Sequence, residues 1–265
     1  MDLAFPQLTT LLPMLKFALL FMGSFLAISL IARLIFGRRS AWNHAVSSAM
    51  GILTIYVVTI ALYTFEAANL FHYLSPLPFV QITDGYLHIL PFADAGITVI
   101  SAHILSLLIL AFLVNAIDGL FPRSNRVIRW FVLRALSVVI AMVLHYAVNI
   151  AVHAFLPDAM VAYAPIILVG ILLGFFLLGL LNGLLSLLLI AVNPILGGIY
   201  TFFFSNILGK QLTKSILTTV LICMLFFALS YLGIGTICIT SAALIGYLPL
   251  LFVLLVLWYL IGQLL

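Results

Sequence analysis

The feature that most constrains this chain is its series of long, unbroken apolar stretches. A helix crossing about 30 Å of hydrocarbon at 1.5 Å per residue needs about 20 apolar residues. Seven stretches meet that requirement, at about 15–36, 44–64, 96–117, 130–153, 164–191, 215–233 and 242–263. Their length and continuity point to helices, because a helix satisfies every backbone polar group within its own segment. A transmembrane barrel would need short strands alternating in polarity instead. Only 6% of the 265 residues are charged while 66% are hydrophobic, and soluble domains carry about 25% charged residues. A water-facing surface cannot be built from this composition. The expected fold class is all-α: a polytopic transmembrane helical bundle of about seven spans, forming a single integral membrane domain over 1–265. The first residues, MDLAFPQLTT, lack the pattern of a removable signal peptide, and none is expected.

Orientation follows from the basic residues in short loops. Arg33, Arg38 and Arg39 follow the first span, Arg123, Arg126, Arg129 and Arg134 surround the junction of the third and fourth, and Lys210 and Lys214 precede the sixth. With the N-terminus outside and the C-terminus cytoplasmic, these nine fall inside and Lys16 alone falls outside. Trp42, Trp130 and Trp258 then sit at the cytoplasmic interface, where amphipathic rings are favoured. The expected location is a plasma membrane, of the bacterial cytoplasmic type. One further apolar segment, 193–208, is short and broken by Pro194 and the Gly197-Gly198 pair; it is read as re-entrant or interfacial rather than spanning. The outer loop near 65–95 holds an internal echo, Tyr73-Leu-Ser-Pro-Leu-Pro-Phe79 and Tyr86-Leu-His-Ile-Leu-Pro-Phe92. It reads either as a loop anchored by aromatics on the outer leaflet or as two matched elements capping a cavity.

Polar residues at membrane depth are costly and therefore informative. In the fourth span Ser137, Ala141, His145, Asn149 and His153 recur every four residues, with Arg134 on the same side. The third span offers His103, Ser106 and, at its inner end, Asp118. Depth counted from the span centres puts His103 and His145 at nearly the same height, which predicts a polar lane between spans three and four. In it His103, Ser106, His145, Asn149 and His153 line up, and Asp118 pairs with Arg134 at the inner end. Neutral imidazoles suit Zn²⁺ ligation or a proton relay, making His103 and His145 weak metal candidates, although no third ligand stands at metal-binding spacing. An intramembrane histidine also serves as a plain interhelical hydrogen-bond partner. The fifth span carries two small-residue pairs, Gly170 with Gly174 and Gly179 with Gly183, on opposite faces. They predict close approach of different neighbours to its two halves.

Enzyme signatures are missing. Glu66 is the only glutamate, and no nucleophile elbow, phosphate-binding loop or zinc-protease motif occurs. The expectation is a non-enzymatic membrane subunit or scaffold of a larger assembly, with no cofactor. Its partners would be the lipid bilayer and a membrane or cytoplasmic protein, and nucleic acid is excluded by composition. The alternatives are an autonomous transporter moving a proton, metal ion or small solute through the lane, and a membrane-embedded lipid-modifying enzyme.

Overall fold

The computed structural model describes residues 41–64, 77–83, 85–121, 127–155 and 159–239, with residues 252, 255, 256 and 258–260 near the C-terminus. The protein is mostly helical over these residues. Helix α1 is Ala41–Thr64, α2 Ile97–Leu120, α3 Val127–Phe155 and α4 Ala159–Val192; α5 (Pro194–Tyr200), a π-helical stretch (Thr201–Gly209) and α6 (Lys210–Tyr231) follow. Three helical segments are long and apolar enough to cross a membrane: Ile97–Leu120, Ile128–Val152 and Lys210–Tyr231. Within α4, Ala162–Leu177 and Leu181–Val192 meet at 49° and make a fourth if taken as one span. The first expected span lies outside the described residues, as does most of the seventh.

The core forms where α1, α2 and α6 meet. Ile52, Ile55, Leu107, Leu110 and Ile222 are fully enclosed there. Helix α3 packs along α2 and α1, and α4 packs along α2. The outward face of α4 is lined by Ile166, Val169, Leu173, Phe176, Leu184 and Leu188, which suits lipid or another apolar helix rather than water.

The expected all-helical architecture omits a small sheet. Strands β1 (Val80–Thr83), β2 (Tyr86–Ile89) and β3 (Thr236–Cys238) pair antiparallel in that order. Thr83 faces Tyr86 across a two-residue connection, and Gly85 takes φ +78° there, as a tight hairpin requires. Leu87 pairs with Ile237, tying the loop before α2 to the segment after α6. Helix α6 ends in a Schellman turn: Gly233 adopts φ +73°, its N–H donates to Ser230 O, and the Ile234 N–H donates to Leu229 O. The sheet caps one end of the bundle. The Tyr56 hydroxyl donates to Pro78 O at 2.6 Å, and Phe79 stacks on Phe92 with centroids 5.2 Å apart. Those two phenylalanines close the two copies of the sequence echo, so the echo builds a stacked pair beneath the cap.

Over the segment 193–208 the chain is helical from Pro194 onward. Helical backbone continues from Pro194 to Tyr231, passing through the π stretch. Asn193 alone separates it from α4. Its N–H donates to Leu189 O and its side-chain oxygen accepts from the Ile195 and Leu196 N–H groups, at 2.9 and 3.3 Å. Pro194 occupies the first helical position, where a missing N–H costs nothing. The reversal brings α5 so close to α4 that a Cβ on Gly197 would lie 2.6 Å from the Cα and N of Ile190. Gly198 has open space at the same point. Gly197→Ala should therefore lower stability by about 1–3 kcal/mol, the usual cost of overpacking against backbone. Gly198→Ala should be neutral or stabilising by up to about 1 kcal/mol, from helix propensity. Unfolding of both variants in detergent micelles checks the contrast.

Candidate functional site

The antiparallel helices α2 and α3 bring part of the polar lane together. The Ser106 hydroxyl lies 3.3 Å from His145 Nε2, and Asn149 Nδ2, one turn along α3, lies 3.4 Å from His145 Nδ1. His145 is only 6% exposed. The Asn149 amide nitrogen can only donate, so Nδ1 accepts and the neutral imidazole carries its proton on Nε2, which donates to Ser106 Oγ. This has two chemical consequences. Neither ring nitrogen offers a lone pair for a metal, and Nε2 cannot take the Ser106 proton as a general base would. The Ser106–His145–Asn149 chain is thus a closed interhelical clasp.

His103 has a different role. Its Nδ1 accepts the Phe79 N–H at 3.2 Å, and its ring lies tilted against that phenylalanine with centroids 5.4 Å apart. Phe79 has φ +64°, a conformation rare for a bulky residue, and the His103 bond with the surrounding aromatic contacts holds it. His103 therefore anchors the sheet cap, and Ser106, one turn further along α2, meets His145 in its place. His153 continues the α3 stripe, but its side chain lies outside the described residues. Among the described residues no group of three His, Cys, Asp or Glu could hold a metal ion.

At the opposite end of the lane Asp118 pairs with Arg134. The guanidinium also sits 5.7 Å from the centre of the Trp130 ring, and Trp130 meets Trp258 edge-on at 5.3 Å and Tyr259 at 5.4 Å. This end of the bundle is thus closed by aromatic rings around one ion pair.

The largest polar assembly among the described core residues was not anticipated from the sequence. Asn115, 5% exposed, receives the Ser48 hydroxyl proton at 2.7 Å on its carbonyl oxygen. Its amide donates to Ala111 O at 2.8 Å and faces Ser215 Oγ and Thr218 Oγ1, each at 3.5 Å. Thr218 Oγ1 is also 3.3 Å from Ala45 O. One asparagine thereby ties α1, α2 and α6 together. The signal was present: Ser215, Thr218 and Thr219 recur at helical spacing and so share one face of α6.

The four glycines of α4 behave differently from the expectation of close packing. A Cβ added to Gly170, Gly174, Gly179 or Gly183 would meet nothing within 4 Å among the described residues. Helix α4 contacts α2 through other residues, and its small-residue positions meet no neighbour among the described residues. Near the 49° bend a cleft of about 70 Å³ opens, lined by Phe175, Gly179, Asn182, Tyr200, Phe204 and Gly209 among others.

Compared with protein-family models, curated proteins and solved structures, the chain has no significant match. Asn115→Leu should lower stability by about 1–3 kcal/mol, since it leaves the enclosed Ser48 hydroxyl without its acceptor. The Ser48→Ala, Asn115→Leu double variant should recover part of that loss. Denaturant titration of the three proteins in micelles checks both outcomes.

Proposed function

We propose that this chain is a non-enzymatic subunit or scaffold of a larger membrane assembly. It would cross a plasma membrane seven times, with the N-terminus outside and the C-terminus cytoplasmic. The observation that carries the reading is the closed lane: both imidazole nitrogens of His145 are engaged within the protein, and Asp118 and Arg134 neutralise each other. An autonomous carrier needs a polar path open to water, and neither His145 nor the Asp118–Arg134 pair, each engaged within the protein, offers its groups to one. The same closure argues against Ser106 as a nucleophile.

The subunit reading also draws support from α4. Glycine in a helix interior costs about 1 kcal/mol relative to alanine, and in a membrane it returns that cost by letting a second backbone approach. Gly170 and Gly174 have no such neighbour among the described residues. The proposed orientation is supported by the basic loops and by the contact of Trp258 with Trp130, which suits a C-terminus on the same side as the start of α3. On this reading the apolar segment at 193–208 stays on the cytoplasmic side of the bundle and joins α4 to α6.

Affinity purification in a mild detergent, followed by native mass measurement, tests the proposal. A stoichiometric partner protein should accompany the wild-type chain. Gly170→Leu with Gly174→Leu should reduce its recovery at least about tenfold, with the thermal midpoint unchanged because the new side chains enter open space. A chain that purifies alone overturns the reading, and so does a homo-oligomer lost in the variant.

A further inference from the structure

The sheet cap is tied to the bundle by a bond that only one protonation state of its acceptor can make. Phe79, fully buried at the entry to β1, adopts φ +64°. That left-handed conformation is unfavourable for a bulky residue and persists only where the surroundings impose it. The Phe79 carbonyl accepts the Leu90 N–H at 2.9 Å, within the cap itself. Its own N–H reaches out of the cap, to His103 Nδ1 on α2 at 3.2 Å. One residue earlier, Pro78 O accepts the Tyr56 hydroxyl proton from α1. Among the described residues these two hydrogen bonds join residues 78–79 to the helices. The phenol donates at any pH below its own ionisation, whereas the imidazole accepts only while it is neutral.

From this geometry we propose that His103 is an acid-release latch on the cap: neutral, it locks the hairpin to α2; protonated, it lets Phe79 leave its strained conformation and the hairpin lift from the end of the bundle. Protonation puts an N–H on Nδ1, so a donor then faces a donor and the buried Phe79 N–H loses its acceptor. Among the described residues the one ion pair is Asp118 with Arg134, at the far end of α2, so no carboxylate holds the imidazolium in place. Tyrosine and cysteine side chains are uncharged in acid, which covers Tyr56 on α1, Tyr146 on α3, Tyr163 on α4 and Cys223 on α6. His88 alternates in β2 with the buried Leu87 and Ile89 and so points away from the core. His145 on α3 is engaged by Ser106 and Asn149, and Asp94 is exposed in the turn before α2. His103 is thus the described titratable group bonded directly to the strained residue. On the proposed orientation this end of the bundle meets the outside medium, whose pH the cell does not hold constant.

A nitroxide attached at Gln81→Cys, an exposed position two residues beyond Phe79, reports the mobility of the hairpin. The measurement is made on the full chain in detergent, with Cys223 and Cys238 changed to alanine. Between about pH 7.5 and 4.5, a range that brackets ordinary histidine titration, the mobile fraction should rise at least about threefold and reversibly. Helix content by circular dichroism should hold over the same range. His103→Gln, whose side-chain oxygen accepts but does not titrate, should remove the step, and His88→Gln should keep it. His103→Leu offers no acceptor and should leave the label mobile in neutral and acid solution alike; if that variant does not fold, His103→Gln decides alone. The latch is overturned by an absent step in the His103 parent, or by a step that persists in His103→Gln or disappears in His88→Gln. It is equally overturned by a label as immobile in His103→Leu as in the parent at neutral pH, or by a step that coincides with loss of helix.

Discussion

Inside a bilayer there is no water to satisfy a stray polar group, and the structure is arranged around that constraint. Asn115 is the centre of the solution. Each interhelical hydrogen bond in a membrane protein is worth about 0.6 kcal/mol on average, so no single contact at this node fixes the bundle. Its effect comes from convergence. A donor on α1, an acceptor and a donor on α2 and two hydroxyls on α6 meet at one depth, and slippage of any of these helices would strand several groups together. The Ser106–His145–Asn149 clasp does the same for α2 and α3, half a helix away.

The two ends of the bundle are closed by different means. At one end the sheet buries Phe79 against Phe92, Phe226 and His103, so the hairpin before α2 is held by aromatic packing and by one imidazole. At the other end Trp130, Trp258 and Tyr259 surround Arg134 and its partner Asp118. A charge at that depth is tolerable because its counter-ion and an aromatic face are both in contact with it. Helix α4 and the reversal at Asn193 stand apart from this closed centre. There the side chains face outward, the small residues meet no neighbour among the described residues, and the cleft opens at the bend.

Helix positions were legible in the sequence because apolar run length maps directly onto bilayer thickness. The second to sixth expected stretches each coincide with a helix to within a few residues, for example 96–117 against Ile97–Leu120. That small difference matters for the site. Extending α2 to Leu120 moves its centre about two residues toward the Asp118 end, about 3 Å, so His103 no longer stands level with His145, and Ser106 meets it instead. The lane was legible as a stripe but not in its register, since helix ends set register and apolar runs blur them. The sheet was overlooked because short strands beside long apolar runs give little periodic signal, although Asp84-Gly85 is a strong hairpin pair. The Asn115 node was overlooked because serine and threonine are mildly apolar on hydropathy scales and hide within a span. The open faces of Gly170, Gly174, Gly179 and Gly183 were not legible at all: a small-residue spacing announces that something can approach, without saying whether this chain supplies it.

If the interior polar groups are closed to water, a thiol reagent should not reach them. Cysteine placed at Ser106, in a chain with Cys223 and Cys238 changed to alanine, would be exposed to a water-soluble maleimide in intact membranes. No modification is expected until the protein is unfolded, whereas a control cysteine at Asp94, in the exposed turn before α2, should react readily. Rapid native-state labelling at position 106 would contradict it, and would mean that water reaches the lane and that the chain conducts rather than scaffolds.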